Sequence, residues 1–175
     1  MYQIFQLAKV WTVKTRTATI TDIPAITAIY NEAIQHTLAT FDTTQKTPEE
    51  MKVWLRHHGP KNPCMVGEHE GSIIGWAALS QWSDRCAYDD TAEVSVYITE
   101  PYRGKGFGKQ LFHDILVAGK KAGIHAVIAR ITEGNKISIN LHKKEGFFPV
   151  GIMKEVGLKF GKRLDVHLMQ LIYDE

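Results

Sequence analysis

Apolar residues recur along the chain at two spacings, and the points where one gives way to the other divide it into elements. Arg16 to Ile20 is a short β-prone stretch. Ile26, Ile29, Tyr30, Ala33 and Ile34 then fall three and four apart, which predicts a helix with Thr21 or Asp22 as its cap and Pro24 in its first turn. Thr47-Pro48-Glu49-Glu50 sets a capping threonine three residues before a glutamate, with proline at the first helical position, so a second helix begins there. Met51, Trp54 and Leu55 form its apolar stripe, and Gly59-Pro60 ends it. Cys64 to Gly67 and Ile73 to Leu79 read as strands joined by a tight turn at Glu70-Gly71. The polar stretch from Ser80 to Thr91 is long enough to be a functional loop. Glu93 to Ile98 is a further strand, and Gly108 to Ala122 a helix with Leu111, Phe112, Ile115 and Leu116 on one face. Ala126 to Ile131 is nearly continuous in apolar residues, as a strand buried on both faces would be. Asn135 to Lys144 reads as a helix closed by Gly146, and strands near Phe148–Val156 and Arg163–Ile172 finish the chain.

This order predicts a mixed α/β domain with helices packed on a central sheet. The 175 residues fit one compact domain better than two. We read residues 1–14 as an N-terminal extension and 15–175 as the domain. Composition narrows the function. At 44% hydrophobic and 23% charged the chain is ordinary for a globular protein. Its 21 basic against 19 acidic side chains are too even for a nucleic-acid partner. Two cysteines, Cys64 and Cys86, make neither a disulfide framework nor a structural zinc site, so no metal is expected. No apolar run approaches the roughly 18 residues of a membrane-spanning helix. The opening segment lacks the charged-then-apolar order of a signal peptide, which assigns the chain to the cytoplasm.

Candidate chemistry concentrates where the strand Val94 to Ile98 leads into Arg103-Gly104-Lys105-Gly106-Phe107-Gly108-Lys109 and a helix opens. Glycines let a ligand approach backbone N–H groups, and a helix start adds unpaired donors and partial positive charge, which together suit a pyrophosphate. The spacing is G-x-G-x-G, so neither the dinucleotide fingerprint nor a P-loop fits. This loop resembles the Q/R-x-x-G-x-G/A signature of the Gcn5-related N-acetyltransferases (GNAT). Asn135-Lys-Ile-Ser138 through His142 to Gly146-Phe147 resembles that family's N-x-x-S/A-x-x-L-Y-x-x-x-G-F segment. Ile29 to Ala33, Thr40-Phe41-Asp42, Trp82 to Tyr97 and Val156 to Gln170 are similar, within the family, to the phosphinothricin and methionine sulfoximine N-acetyltransferases.

The resemblance implies the GNAT fold, a mixed and mostly antiparallel sheet flanked by helices. It implies acetyl-CoA as cosubstrate and direct transfer of the acetyl group to the amine of a small amino-acid-like molecule. Arg103 to Lys109 would hold the pyrophosphate. Asn135 and Ser138 would flank the pantetheine arm, and Val96, Tyr97 and Ile98 would pair with it like an added strand. Glu93 would be the general base. His142, where the wider family often has tyrosine, is a candidate acid, and a helix-surface histidine without a chemical role is the other reading. The acceptor would lie among Phe41, Ser83, Arg85, Glu93, Val94 and Ser95. Arg85 suits a carboxylate through paired hydrogen bonds, and Ser83 stands where relatives often carry a basic residue. The resemblance also implies a homodimer with the site near its interface, and Phe41 and Lys159-Phe160-Gly161 fit either that interface or ordinary packing. Other acceptors stay open, a polyamine or a peptide N-terminus, as does a non-catalytic acetyl-CoA sensor.

Overall fold

A computed structural model describes residues 13–174; residues 1–12, and with them nearly all of the expected extension, lie outside it. The elements follow the predicted order. They are β1 (Lys14–Thr17), α1 (Ile23–His36), α2 (Pro48–Arg56), β2 (Cys64–His69), β3 (Ser72–Gln81), β4 (Thr91–Ile98), α3 (Phe107–Lys121), β5 (Ala126–Thr132), α4 (Lys136–Lys144), β6 (Phe148–Lys159) and β7 (Lys162–Ile172). Their strands form one sheet in the order β1-β2-β3-β4-β5-β7-β6. Every neighbouring pair is antiparallel except β4 with β5.

Each face of the sheet carries its own core. Ala92 and Val94 of β4 and Val127, Ala129 and Ile131 of β5 pack against Leu111, Phe112, Ile115 and Leu116 of α3. On the other face Ile23, Ile26 and Ile29 of α1 and Met51 of α2 cover Val66, Trp76 and Ala78. Alternation along β4 therefore sends Val94, Val96 and Ile98 toward α3, and Glu93, Ser95 and Tyr97 toward α1. Among the described residues no helix is long and apolar enough to cross a membrane.

Local departures from the predicted elements have local causes. The first strand spans Lys14–Thr17 rather than Arg16–Ile20, because Ile20–Asp22 turn into a 3₁₀ helix. Asp22 occupies the cap position of α1 but does not cap it. Its carboxylate accepts both Arg16 Nη1–H (2.7 Å) and Nη2–H (2.9 Å), and this pairing holds the buried carboxyl below its ordinary range. α2 begins as predicted, with reciprocal bonds between Thr47 and Glu50. β5 is not buried on both faces: Arg130 is exposed on the side away from α3. β6 runs on to Lys159 through a bulge between Met153 and Gly157. Asp165 pins that bulge by accepting from the Glu155 N–H (2.9 Å) and Lys154 Nζ (2.6 Å).

Candidate active site

The parallel pair is short. β5 pairs with β4 only at Thr91, Ala92 and Glu93, whereas β3 accompanies β4 along its whole length to Ile98. Beyond Glu93 the two parallel strands part. The edge of β4 from Val94 to Ile98 then presents main-chain N–H and C=O groups that no strand satisfies. A cleft of about 1130 Å³ opens there between β4, residues 129–132 of β5, the α1–α2 connection and α4. Such an edge pairs with any ligand that carries amides along an extended arm.

At one end of this edge lies the glycine loop. Gly104 (φ +72°) and Gly106 (φ +89°) adopt left-handed backbone, which glycine takes without strain, and a Cβ at either would meet nothing within 4 Å. Gly106 caps α3, so the N-terminal donors and the positive end of that helix lie on this loop. The donors and the room suit a pyrophosphate. Phe107 is buried against His69 and Tyr102 and offers the loop its backbone rather than its ring. Lys105 lies over the Tyr102 ring at 5.3 Å, and Lys109 is exposed in the first turn of the helix. Arg103 Nε–H donates to the Ile98 carbonyl at 2.7 Å, and its guanidinium pairs with Glu32. Glu32 also accepts the Thr99 hydroxyl and the Glu100 N–H, so α1 fixes the entrance to the loop.

The opposite wall is α4. Asn135 Oδ1 accepts the Ser138 N–H at 3.0 Å and caps the helix. His142 is buried, with its ring against Phe112 (4.5 Å between centroids) and Phe147 (4.9 Å). Its Nδ1–H donates to the Ser138 carbonyl at 2.8 Å, and burial pushes its pKa below the ordinary histidine value. The imidazole is thus neutral with its one proton on Nδ1, a state that accepts rather than donates at Nε2.

The side chains that could meet an amine converge where β4 and β5 part. Glu93 receives two parallel bonds from Arg130, Nε–H to Oε1 and Nη2–H to Oε2, both 2.6 Å. The carboxylate beside it raises the Arg130 pKa further above its ordinary value. The Trp82 indole lies 6.0 Å from the guanidinium carbon. Tyr97 packs edge-on to Tyr30 at 5.1 Å, and burial pushes its hydroxyl up to about 12. Tyr30 donates to Asp42 at 2.9 Å. Phe41 lines the cleft over Gly157, where a Cβ would fall 2.1 Å from the ring. The buried Lys159 ammonium donates to the Thr40 carbonyl at 2.7 Å and ties this connection to β6.

Phe41, Glu93, Val94, Ser95, Val96, Tyr97, Ile98, Arg103, Gly108, Asn135, Ser138 and His142 all line this cleft. Gly104, Lys105, Gly106, Phe107 and Lys109 belong to the loop at its end rather than to its lining, and Ser83 and Arg85 lie away from it. These last two sit on the loop between β3 and β4, where Arg85 is exposed and its N–H donates to Ser83 Oγ at 3.3 Å. Sequence reasoning assigned no site role to Arg130, Tyr30 or Asp42, although Tyr30 falls on the predicted helix stripe and Asp42 in a segment of the family resemblance; for Arg130 the one signal was an arginine inside an apolar run. Among the described residues no three of His, Cys, Asp and Glu are placed to hold a metal ion.

Comparison with known proteins agrees with this geometry. The profile of the acetyltransferase (GNAT) family matches residues 26–147. An L-methionine sulfoximine/L-methionine sulfone acetyltransferase of Pseudomonas aeruginosa is 35% identical over 161 residues, 91% of this chain and 94% of its own length. A GNAT superfamily phosphinothricin acetyltransferase from Sinorhizobium meliloti, solved in complex with AcCoA, superposes with a TM-score of 0.88 at 34% identity, covering 92% of this chain and 88% of that one. A ribosomal-protein-alanine N-acetyltransferase from Brucella melitensis has a TM-score of 0.88 at 36% identity, covering 91% and 99%. A sheet that parts at Glu93, a glycine loop at the helix start and these relatives lead to one conclusion: the chain belongs to the GNAT family and is an acetyl-CoA-dependent N-acetyltransferase.

Proposed function

We propose that the acceptor is the α-amine of a small amino-acid-like molecule of the phosphinothricin and methionine sulfoximine kind. The observation that carries this reading is a carboxylate and a guanidinium side by side where β4 and β5 part, one suited to an ammonium proton and the other to a carboxylate. The relatives support it through the acceptors in their names.

Acetyl-CoA supplies the electrophile, a thioester carbonyl. Its pantetheine arm lies along the free edge of β4 from Val96 to Ile98, and its pyrophosphate lies on the loop from Arg103 to Lys109. A main-chain N–H of that edge polarises the carbonyl. Glu93 takes a proton from the acceptor ammonium, directly or through one water, and the freed amine attacks. The new C–N bond forms as the C–S bond breaks. The departing sulfur, with a thiol pKa of about 8.5, takes its proton from solvent. His142 in its resting tautomer shapes the wall and donates nothing to that sulfur.

The deciding experiment measures release of CoA thiol from acetyl-CoA with methionine sulfoximine, methionine sulfone, phosphinothricin, free methionine, spermidine and an alanine-initiated peptide. Turnover of the sulfur or phosphorus amino acids above the others is the expected result. Turnover confined to spermidine or the peptide overturns the acceptor. Acetyl-CoA binding without turnover of any of these amines overturns this acceptor class as well.

The partner we propose is a second copy of this chain. β6 is the last strand of the sheet, and Val150, Ile152, Val156 and Leu158 stand exposed along it, with Phe160 exposed in the turn that follows, next to the cleft that Val156 lines. Natural proteins cover or blunt an apolar edge of this kind. Sedimentation equilibrium should give twice the chain mass, and Leu158→Glu should shift it toward the single mass. A monomeric parent protein at micromolar concentration would refute the assignment.

A further inference from the structure

We infer that Arg130 is the anchor for the acceptor's carboxylate, and that binding of this carboxylate releases Glu93 to act as base. The inference rests on the amino-acid reading above. It begins from a conflict in the resting site. Glu93 stands where a base is needed, yet both of its oxygens are occupied by Arg130 at 2.6 Å. With a charge-assisted bond on each oxygen, the carboxylate has its approach on that side blocked to an incoming ammonium.

The geometry of the guanidinium resolves the conflict. Arg130 meets Glu93 along its Nε–Nη2 side. Nη1 has no hydrogen-bond partner among the described residues, and the Arg130 side chain is 53% exposed. A guanidinium has five N–H groups, so its Nη1–Nη2 end can receive a second carboxylate. That carboxylate comes with the acceptor. It takes Nη2 from Glu93, and the Oε2 so uncovered faces the ammonium of the same molecule. The proton passes from that nitrogen to Oε2, and the neutral amine attacks. Trp82, 6.0 Å from Cζ, lies against the guanidinium through the exchange. Arg130 reaches this position because β5 carries Ile128 beside Glu93, and Arg130 lies two residues further on the same face, where the pairing has ended.

The assignment also explains how the cleft would discriminate. Without Arg130 the charged residues left in the lining are Glu93, Glu133 and Asp42 near the point where the strands part, and Arg103 at the glycine-loop end, paired with Glu32. Such a lining repels a carboxylate and attracts a bare ammonium. Loss of Arg130 should therefore weigh on the two kinds of acceptor unequally.

The test compares methionine sulfone with 3-(methylsulfonyl)propylamine, the same molecule without its carboxylate, by CoA thiol release. For Arg130→Ala we expect KM for the amino acid to rise on the order of 100-fold, with kcat/KM for the amine raised rather than lowered, because Glu93 is no longer occupied and the cation that repels the ammonium is gone. Arg130→Lys, which keeps the charge and loses the fork, should recover part of the amino-acid KM. Equal losses on both acceptors would reduce Arg130 to a support for Glu93 or the fold. An unchanged amino-acid KM would remove it from the site. Arg130→Gln, checked for retained acetyl-CoA binding, guards against misfolding of the alanine variant. Should the parent enzyme itself prefer the amine, the acceptor class fails and this assignment with it, a result distinct from any behaviour of the variants.

Discussion

Glu93→Gln lowers kcat with the preferred acceptor by roughly 10²- to 10⁴-fold, the range typical of a lost general base. Acetyl-CoA affinity should stay within about twofold, because the change removes a proton acceptor and leaves the free edge of β4 intact. The amide matches the carboxylate in shape and still accepts one bond from Arg130, whose half-exposed guanidinium is otherwise solvated. Fold and loop should persist. The measurement is a single-turnover rate at saturating acetyl-CoA together with a binding titration of acetyl-CoA. A kcat within a few fold of the parent enzyme would show that the ammonium loses its proton to water before binding. Glu93 would then hold Arg130 and no more.

Gly106→Val acts on the other substrate. The residue has φ +89°, a region that costs a β-branched side chain about 1–3 kcal/mol, so the loop must move or the helix start must unwind. Either response takes the first N–H groups of α3 away from the pyrophosphate. KM for acetyl-CoA should rise about 10- to 100-fold, with kcat at saturation changed far less. The open space around Gly106 sharpens the test, since no core atom clashes with the new side chain and stability should fall only by the backbone strain. An unaltered KM would mean that the phosphates rest elsewhere, on the exposed lysines for instance.

What the sequence conveyed and what it hid have separate physical origins. Thr47, Pro48 and Glu50 announce α2 because a capping box is a local device, complete within four residues. The glycine loop was legible for the same reason, since left-handed backbone at Gly104 and Gly106 needs glycine whatever surrounds it. Asp22 looked like a cap as well, but its carboxylate belongs to Arg16, a contact set by the path of β1. Arg130 was hidden because periodicity averages over a window, and five apolar neighbours outweigh one arginine. Its exposure follows from where β5 leaves β4, which only the assembled sheet decides. Arg85 drew attention instead, as the arginine in a polar loop, and that loop points it into solvent.

The short seam between β4 and β5 ties the enzyme's persistence to its fuel. A sheet paired over three residues and then parted is incomplete until something occupies the slot. A ligand that binds only the folded chain stabilises it by about 2.7 kcal/mol at one hundred times its dissociation constant. Acetyl-CoA is such a ligand, so the resistance of this protein to unfolding and proteolysis follows the acetyl-CoA supply. When the supply is plentiful the enzyme is both working and durable, and when it falls the idle molecules are the first exposed to degradation.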